Sequence, residues 1–135
     1  MPIIIFFVIM LIGGFLLRKT SFGRHTYAVG GNPLAARACG IKDRSITVWV
    51  YVISGLCAAI AGIVLAARVR TATPLAGNGY ELDAIAAAVL GGTSLTGGIG
   101  NMWGTLAGVL IIGLLNNGMD MLNIQSYIQD IVQGV

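Results

Sequence analysis

Charge is the scarcest ingredient of this 135-residue sequence: eight Lys and Arg and five Asp and Glu make up 10% of it, against 56% hydrophobic residues. Soluble domains carry roughly 25% charged residues, because a chain folded in water must present them at its surface. The length would suit one globular domain, but the charge to clothe it is missing, and an ordinary soluble domain is excluded. Cysteine is almost absent. Cys39 lies in a basic polar stretch and Cys57 within an apolar run, so no disulfide framework is implied. The single histidine, His25, and the lack of CxxC, HExxH or any Cys/His cluster argue against a metal site. The twenty glycines follow no G-X-Y period and keep company with Ala, Leu, Ile and Val, which excludes collagen and disordered linkers.

Long apolar runs interrupted by short polar segments are present instead, and they read as an integral membrane protein. The fold class expected is all-α: a polytopic membrane helix bundle with a short half-membrane helix and a cytoplasmic coupling helix. Pro2–Leu17 is apolar but short of the ~17–25 residues of a complete span. It has no basic n-region or small-residue cleavage site, so it reads as the tail of a helix rather than a signal peptide. Ile46–Ala67 is uncharged over 22 residues, about 33 Å of helix, and is the one full span expected with assurance. Ser54, Ala58 and Gly62 recur every four residues along it, a face of small side chains that admits a neighbouring helix closely. Between Arg18 and Ser45 six basic residues (Arg18, Lys19, Arg24, Arg37, Lys42, Arg44) outnumber one acid, Asp43, which places residues 18–45 in the cytoplasm by the positive-inside rule.

Within that segment, Asn32 suits a helix N-cap, Pro33 the first helical position and Gly40 the left-handed residue beyond the end. These signals bracket a helix over Pro33–Cys39. A helix so short is marginal in water, so a partner is expected to pack on it. Leu34, Ala35 and Ala38 offer an apolar patch and Arg37 a charge-assisted bond to an acidic partner. Docking of a cytoplasmic protein and a capped connector lying on the lipid surface are equally open from these residues alone.

Beyond the turn residues Pro74, Gly77, Asn78 and Gly79, Glu81–Leu90 forms a helix of about 15 Å, half a bilayer. Glu81 and Asp83 suit the positive end of its dipole and also suit the edge of a polar route. Gly91–Gly100 resembles the start of a phosphate loop at Gly92-x4-Gly97, but Gly98 and Ile99 stand where Lys and Ser or Thr are required. A flexible turn is expected there. Met102–Leu115 is apolar and carries Gly104 and Gly108 at the GxxxG spacing of close helix packing. Asn116, Asn117 and Gly118 suit its C-terminal cap, and the two amides also suit hydroxyl recognition. Tyr127–Val135 reads as the first turns of another helix. No Ser/His/Asp order can be assembled around His25, so no catalytic residue, and no enzyme, is expected.

The succession GRHTYAVGGNPLAARACGI, an apolar span, GNGYELDAIAAAVLGGTSLTGGIG and GTLAGVLIIGLLNNGMDML resembles the C-terminal part of ribose/xylose-type permeases of bacterial ATP-binding-cassette importers, over about residues 18 to 135. The resemblance implies a single transmembrane permease domain over 1–135, incomplete at both ends, in the bacterial inner membrane. It implies a cytoplasmic ABC ATPase that hydrolyses the ATP, a periplasmic sugar-binding protein, a second permease subunit forming a dimer, and the lipid membrane as partners. No nucleic acid and no cofactor bound by this chain are expected. Gly30, Gly31, Asn32, Pro33, Ala36, Arg37 and Gly40 would form the ATPase-coupling surface, and Tyr80, Glu81, Asp83, Asn116 and Asn117 would line or support the translocation path. Ser54, Ala58, Gly62, Gly104 and Gly108 would pack helices. The solute expected is a monosaccharide such as ribose. A branched-chain amino acid, a signalling sugar, or a non-transporting membrane protein that oligomerises through its small-residue faces are the alternatives.

Overall fold

The computed structural model describes residues 1–134, and among them every regular element is a helix. The seven helices are α1 (Pro2–Lys19), α2 (Ser21–Gly31), α3 (Pro33–Ala38), α4 (Asp43–Val69), α5 (Tyr80–Leu90), α6 (Met102–Met121) and α7 (Ser126–Gly134). This is an all-α membrane helix bundle. Three helices, α1, α4 and α6, are long and apolar enough to cross a membrane, where the sequence marked only one with assurance. The difference lies at the helix ends. The first helix runs on through Arg18 and Lys19, whose charged heads can reach the interface, and α6 runs six residues past Leu115.

The chain divides into two compact units. The first holds Met1–Gly77 and Thr96–Ile99, and the second holds Asn78–Leu95 and Gly100 onward. In the first unit, α1 breaks at Thr20, whose backbone is extended and whose hydroxyl both donates to the Leu16 carbonyl and accepts from the Gly23 N–H at 3.3 Å. A new helix, α2, starts there at a segment that reads as loop in the sequence. Its start signal is the Thr20 cap alone, because three glycines (Gly23, Gly30 and Gly31) and no apolar periodicity follow it. The next break is Asn32, whose side-chain oxygen accepts the Ala35 N–H at 3.1 Å and so caps α3 behind Pro33. Gly40, at φ +83°, closes α3 one residue earlier than the sequence suggests. Its N–H reaches the Arg37 carbonyl at 2.9 Å and that of Ile41 reaches Ala36 at 3.0 Å, the paired bonds of a Schellman end.

The longest helix, α4, buries none of its 27 residues within the chain, and Ser54, Ala58 and Gly62 are all exposed. A helix apolar all round and uncovered by its own chain is covered by lipid or by other subunits.

In the second unit α5 and α6 pack backbone to backbone. A Cβ built on Gly104 would lie 2.0 Å from the Gly91 carbonyl oxygen, and one on Gly108 would lie 1.9 Å from that of Ala87. The GxxxG pair is therefore filled from inside the chain, and that face is not open to a second copy. Ala87, Ile112 and Met119 are buried in this unit. The end of α6 corrects the sequence reading: Asn116, Asn117 and Gly118 continue the helix, and the cap is Leu122 followed by Asn123 in the left-handed conformation at φ +54°. Asn123 donates to Asp120 at 3.1 Å and Ile124 to Met119 at 3.1 Å, a Schellman end with Asn where Gly is commoner.

Gly108→Ala gains about 0.5–1 kcal/mol of helix propensity but presses a methyl onto backbone that cannot swing aside, for a loss of about 1–3 kcal/mol. The midpoint of thermal unfolding in detergent is expected to fall for Gly108→Ala and to hold or rise for Gly113→Ala, where a Cβ meets nothing within 4 Å. A Gly113→Ala protein less stable than Gly108→Ala would contradict the packing described.

Candidate functional site

Two polar constellations emerge, one in each unit. The first is built on α3. Ala36 is buried, so the opposite side of this six-residue helix faces outward with Leu34, Ala35 and Ala38 exposed; Leu34 is 76% accessible. Gly30, Gly31, Asn32, Pro33 and Gly40 flank or begin it, and all are exposed or half-exposed. Arg37 differs from expectation. Its guanidinium is held by Asp43, with Nε at 2.9 Å and Nη2 at 2.7 Å from Oδ2, so the charge expected to meet an acidic partner is met within the chain. The pairing spans the α3 end and the α4 start, and it braces the corner between them.

Asp43 is the first residue of α4 and lies on the polar side of the apolar stretch 46–67.

Gly30 and Gly31 do more than flank the helix. A Cβ on Gly30 would stand 2.6 Å from the Gly98 nitrogen, one on Gly97 2.6 Å from the Gly30 carbonyl oxygen, and one on Gly98 2.7 Å from the Gly31 Cα. The end of α2 thus lies directly on the backbone of Thr96–Ile99. Gly91–Gly100 is not a free turn. Gly97 and Gly98, with φ of +95° and +79°, were missed as contact residues because nothing in a local pattern says which backbone a glycine pair will meet.

The second constellation brings together Asp83, Asn116 and Gln133. The Asn116 side-chain N–H donates to Asp83 Oδ2 at 3.4 Å, and Gln133 Nε2 donates to Asn116 Oδ1 at 2.6 Å. One turn away, Gln129 Nε2 donates to Asp120 Oδ1 at 2.9 Å and to the Ile124 carbonyl at 3.2 Å. As α7 advances from Gln129 to Gln133, its partner on α6 steps back from Asp120 to Asn116, so α7 runs antiparallel along α6 by a ladder of amides. The chain of acceptors and donors from α5 through α6 to α7 offers the mixed polar groups that hydroxyls need. Tyr80, Glu81 and Asn117 are exposed and stand outside it. Gln129 and Gln133 were legible as a polar pair at i, i+4, the spacing that puts side chains on one helix face.

A cavity of about 380 Å³ lies where the end of α4 meets the following loop, lined by Leu65, Ala66, Val69, Thr73, Pro74 and Gly77 among others. Its walls are mostly apolar, and it touches none of the polar groups above. Among the described residues no group of three His, Cys, Asp or Glu could hold a metal ion.

Asn116→Leu removes the middle member of the Asp83–Asn116–Gln133 chain and leaves both ends without that partner, a loss of about 1 kcal/mol for groups half in contact with their surroundings. Amide hydrogen exchange in α7 is expected to quicken by about fivefold. Asn117→Leu, outside the chain, is the comparison. Equal exchange in the two variants would show that the amide chain does not hold α7.

Comparison with known proteins bears on the whole sequence. The chain is 56% identical over 120 residues to the ribose import permease protein RbsC of Bacillus subtilis, covering 89% of this chain and 37% of that protein. It is 51% identical over 134 residues to the ribose import permease protein RbsC of Escherichia coli K12, covering 99% and 42%. The xylose transport system permease protein XylH of Haemophilus influenzae is 47% identical over 133 residues, covering 98% and 36%. The chain spans about two fifths of the length of these curated relatives. No solved structure matches it. The family model for the permease component of branched-chain amino acid transport systems matches residues 2–135, both units and all seven helices included. With identities near one half along the same residues, the chain is a multi-pass membrane protein that belongs to this permease family.

Proposed function

We propose that this sequence is the transmembrane permease part of an ATP-driven importer that carries a monosaccharide such as ribose across a bacterial inner membrane. The observation that carries the reading is the likeness to ribose and xylose permeases over nearly every residue, including the capped α3 and the α5–α6 pair. The same likeness favours transport over a membrane protein that only oligomerises. The closed GxxxG face supports that preference, since half of the proposed oligomer surface is already used within the chain.

In this reading residues 18–45 face the cytoplasm, where their basic excess belongs. The exposed side of α3 seats in an ATPase subunit that binds and hydrolyses the nucleotide, and the permease itself binds no cofactor. Leu34 is the anchor, a single large apolar side chain standing on a short rigid helix. A second permease subunit covers the small-residue face at Ser54, Ala58 and Gly62, and a periplasmic protein delivers the sugar. Asp83, Asn116 and Gln133 offer hydroxyl partners along its route, with Tyr80, Glu81 and Asn117 at the margin.

In the full-length protein, Leu34→Asp is expected to lower the amount of ATPase that co-purifies by about tenfold, the loss that burying one unpaired charge at an anchor produces. Arg37→Glu sets a carboxylate beside Asp43 and should loosen the corner. Arg37→Glu combined with Asp43→Arg restores the pair and should recover ATPase binding relative to the single reversal. An ATPase that fails to co-purify with the unaltered protein, or one indifferent to Leu34→Asp, would overturn the docking assignment. Uptake of labelled ribose, challenged with xylose, arabinose and leucine in turn, tests the solute class: competition by leucine alone would overturn the sugar reading.

A further inference from the structure

We infer that Gly97 and Gly98 are the receiving half of the coupling surface: displacement of α3 passes through the end of α2 into the loop that joins α5 to α6, across a seam of bare backbone. The inference rests on the docking role proposed for α3.

Three observations carry it. The seam is direct, since Gly30, Gly97 and Gly98 each lack room for even a methyl group, with facing backbone atoms 2.6–2.7 Å from the position a Cβ would take. It also joins residues far apart in the chain, so local connectivity does not account for it. Finally, it has a rigid input. The helices α2 and α3 are joined by Asn32 alone, which donates its N–H to Ala28 at 3.0 Å and accepts the Ala35 N–H at 3.1 Å through its side chain. A residue bonded to both helices leaves little freedom for one to move without the other.

The output is set by chain connectivity. Gly91–Leu95 leads from the end of α5 to the seam, and Gly100 and Asn101 lead from it into α6. Within their own unit α5 and α6 are locked at Gly91/Gly104 and Ala87/Gly108. A push on the seam is therefore delivered to a connection whose two arms move as a pair. Side chains in contact could absorb such a push by changing rotamer. Backbone against backbone has no side-chain rotamer to turn aside, and close-packed atoms transmit displacement.

The test uses the intact importer, reconstituted with its ATPase and binding protein. In Gly30→Ala the new methyl meets the Gly98 nitrogen, whereas in Gly31→Ala the nearest atom is the Gly98 Cα at 4.0 Å. Both positions lie in α2, so both gain the same helix propensity. The sugar transported per ATP hydrolysed is expected to fall by about tenfold in Gly30→Ala and by clearly less in Gly31→Ala, with the ATPase still bound in each. Equal coupling ratios in the two variants, with the complex assembled, would overturn the inference.

Hydrogen exchange on the unaltered importer, nucleotide-free and trapped with ATP and vanadate, guards against a Gly30→Ala protein that does not assemble. Protection is expected to change in residues 91–100 along with residues 30–40. A change in 30–40 with 91–100 unmoved would overturn the seam while leaving docking intact. An importer that binds no ATPase at all would overturn the docking reading beneath it.

Discussion

In lipid, an apolar side chain gains nothing by turning from the hydrocarbon to another helix, so helices hold to one another by close packing, hydrogen bonds and little else. The contacts of this chain obey that constraint closely. The closest backbone approaches are made at glycine: Gly23 on the Leu16 and Leu17 carbonyls, Gly30 and Gly31 on Gly97 and Gly98, and Gly91 with Gly104 and Gly108 on the α5–α6 line. Each is a place where removing the side chain lets peptide dipoles approach and many small attractions add up. The abundance of glycine, which would weaken helices in water, is the means of holding them here.

The same constraint explains why so little of the chain is buried and why that is no defect. Met10, Ala36, Ala87, Ile112 and Met119 are the buried hydrophobic residues among those described, while most of α1 and α4 is turned outward. In water such a surface would aggregate; in a bilayer it is solvated. Polar groups are then the ones that need arranging. They are arranged in two ways: Arg37 with Asp43 at a helix corner, and Asp83, Asn116 and Gln133 in a chain of hydrogen bonds. In each, a charged group is held by a hydrogen-bonding partner within the chain.

What could be read from the sequence was what local chemistry controls. The membrane class, the Asn32-Pro33 start and Gly40 end of α3, and the shortness of α5 all follow from composition, caps and length, and the structure has each of them. The failures have one physical origin. Gly118 has the look of a helix end because glycine often is one, but the helix continues to Met121 and is closed beyond its Leu122 cap by the left-handed Asn123 and the bonds from Asn123 and Ile124. The α2 helix was invisible because its glycines weaken its propensity and its stability comes from neighbours. Arg37 looked free because Asp43, six residues on, becomes its neighbour only after Gly40 has turned the chain. The partners of Gly97 and Gly98 lie more than sixty residues away, and no pattern along a single chain shows which backbone a distant glycine will touch.

The design of α3 follows from these same limits. Six residues cannot form a stable helix by propensity, since nucleation is unfavourable and so few hydrogen bonds follow it. Here every loose end is tied: Asn32 and Pro33 set the first turn, the Schellman bonds at Gly40 and Ile41 set the last, Ala36 is packed beneath, and Arg37 is anchored to the next helix. A segment fixed by caps on both sides and by packing below has no internal freedom to spend when something presses on its outer face. It must move as a block or not at all. That property suits the docking role proposed for α3, in which a push on the outer face has to be passed on as motion.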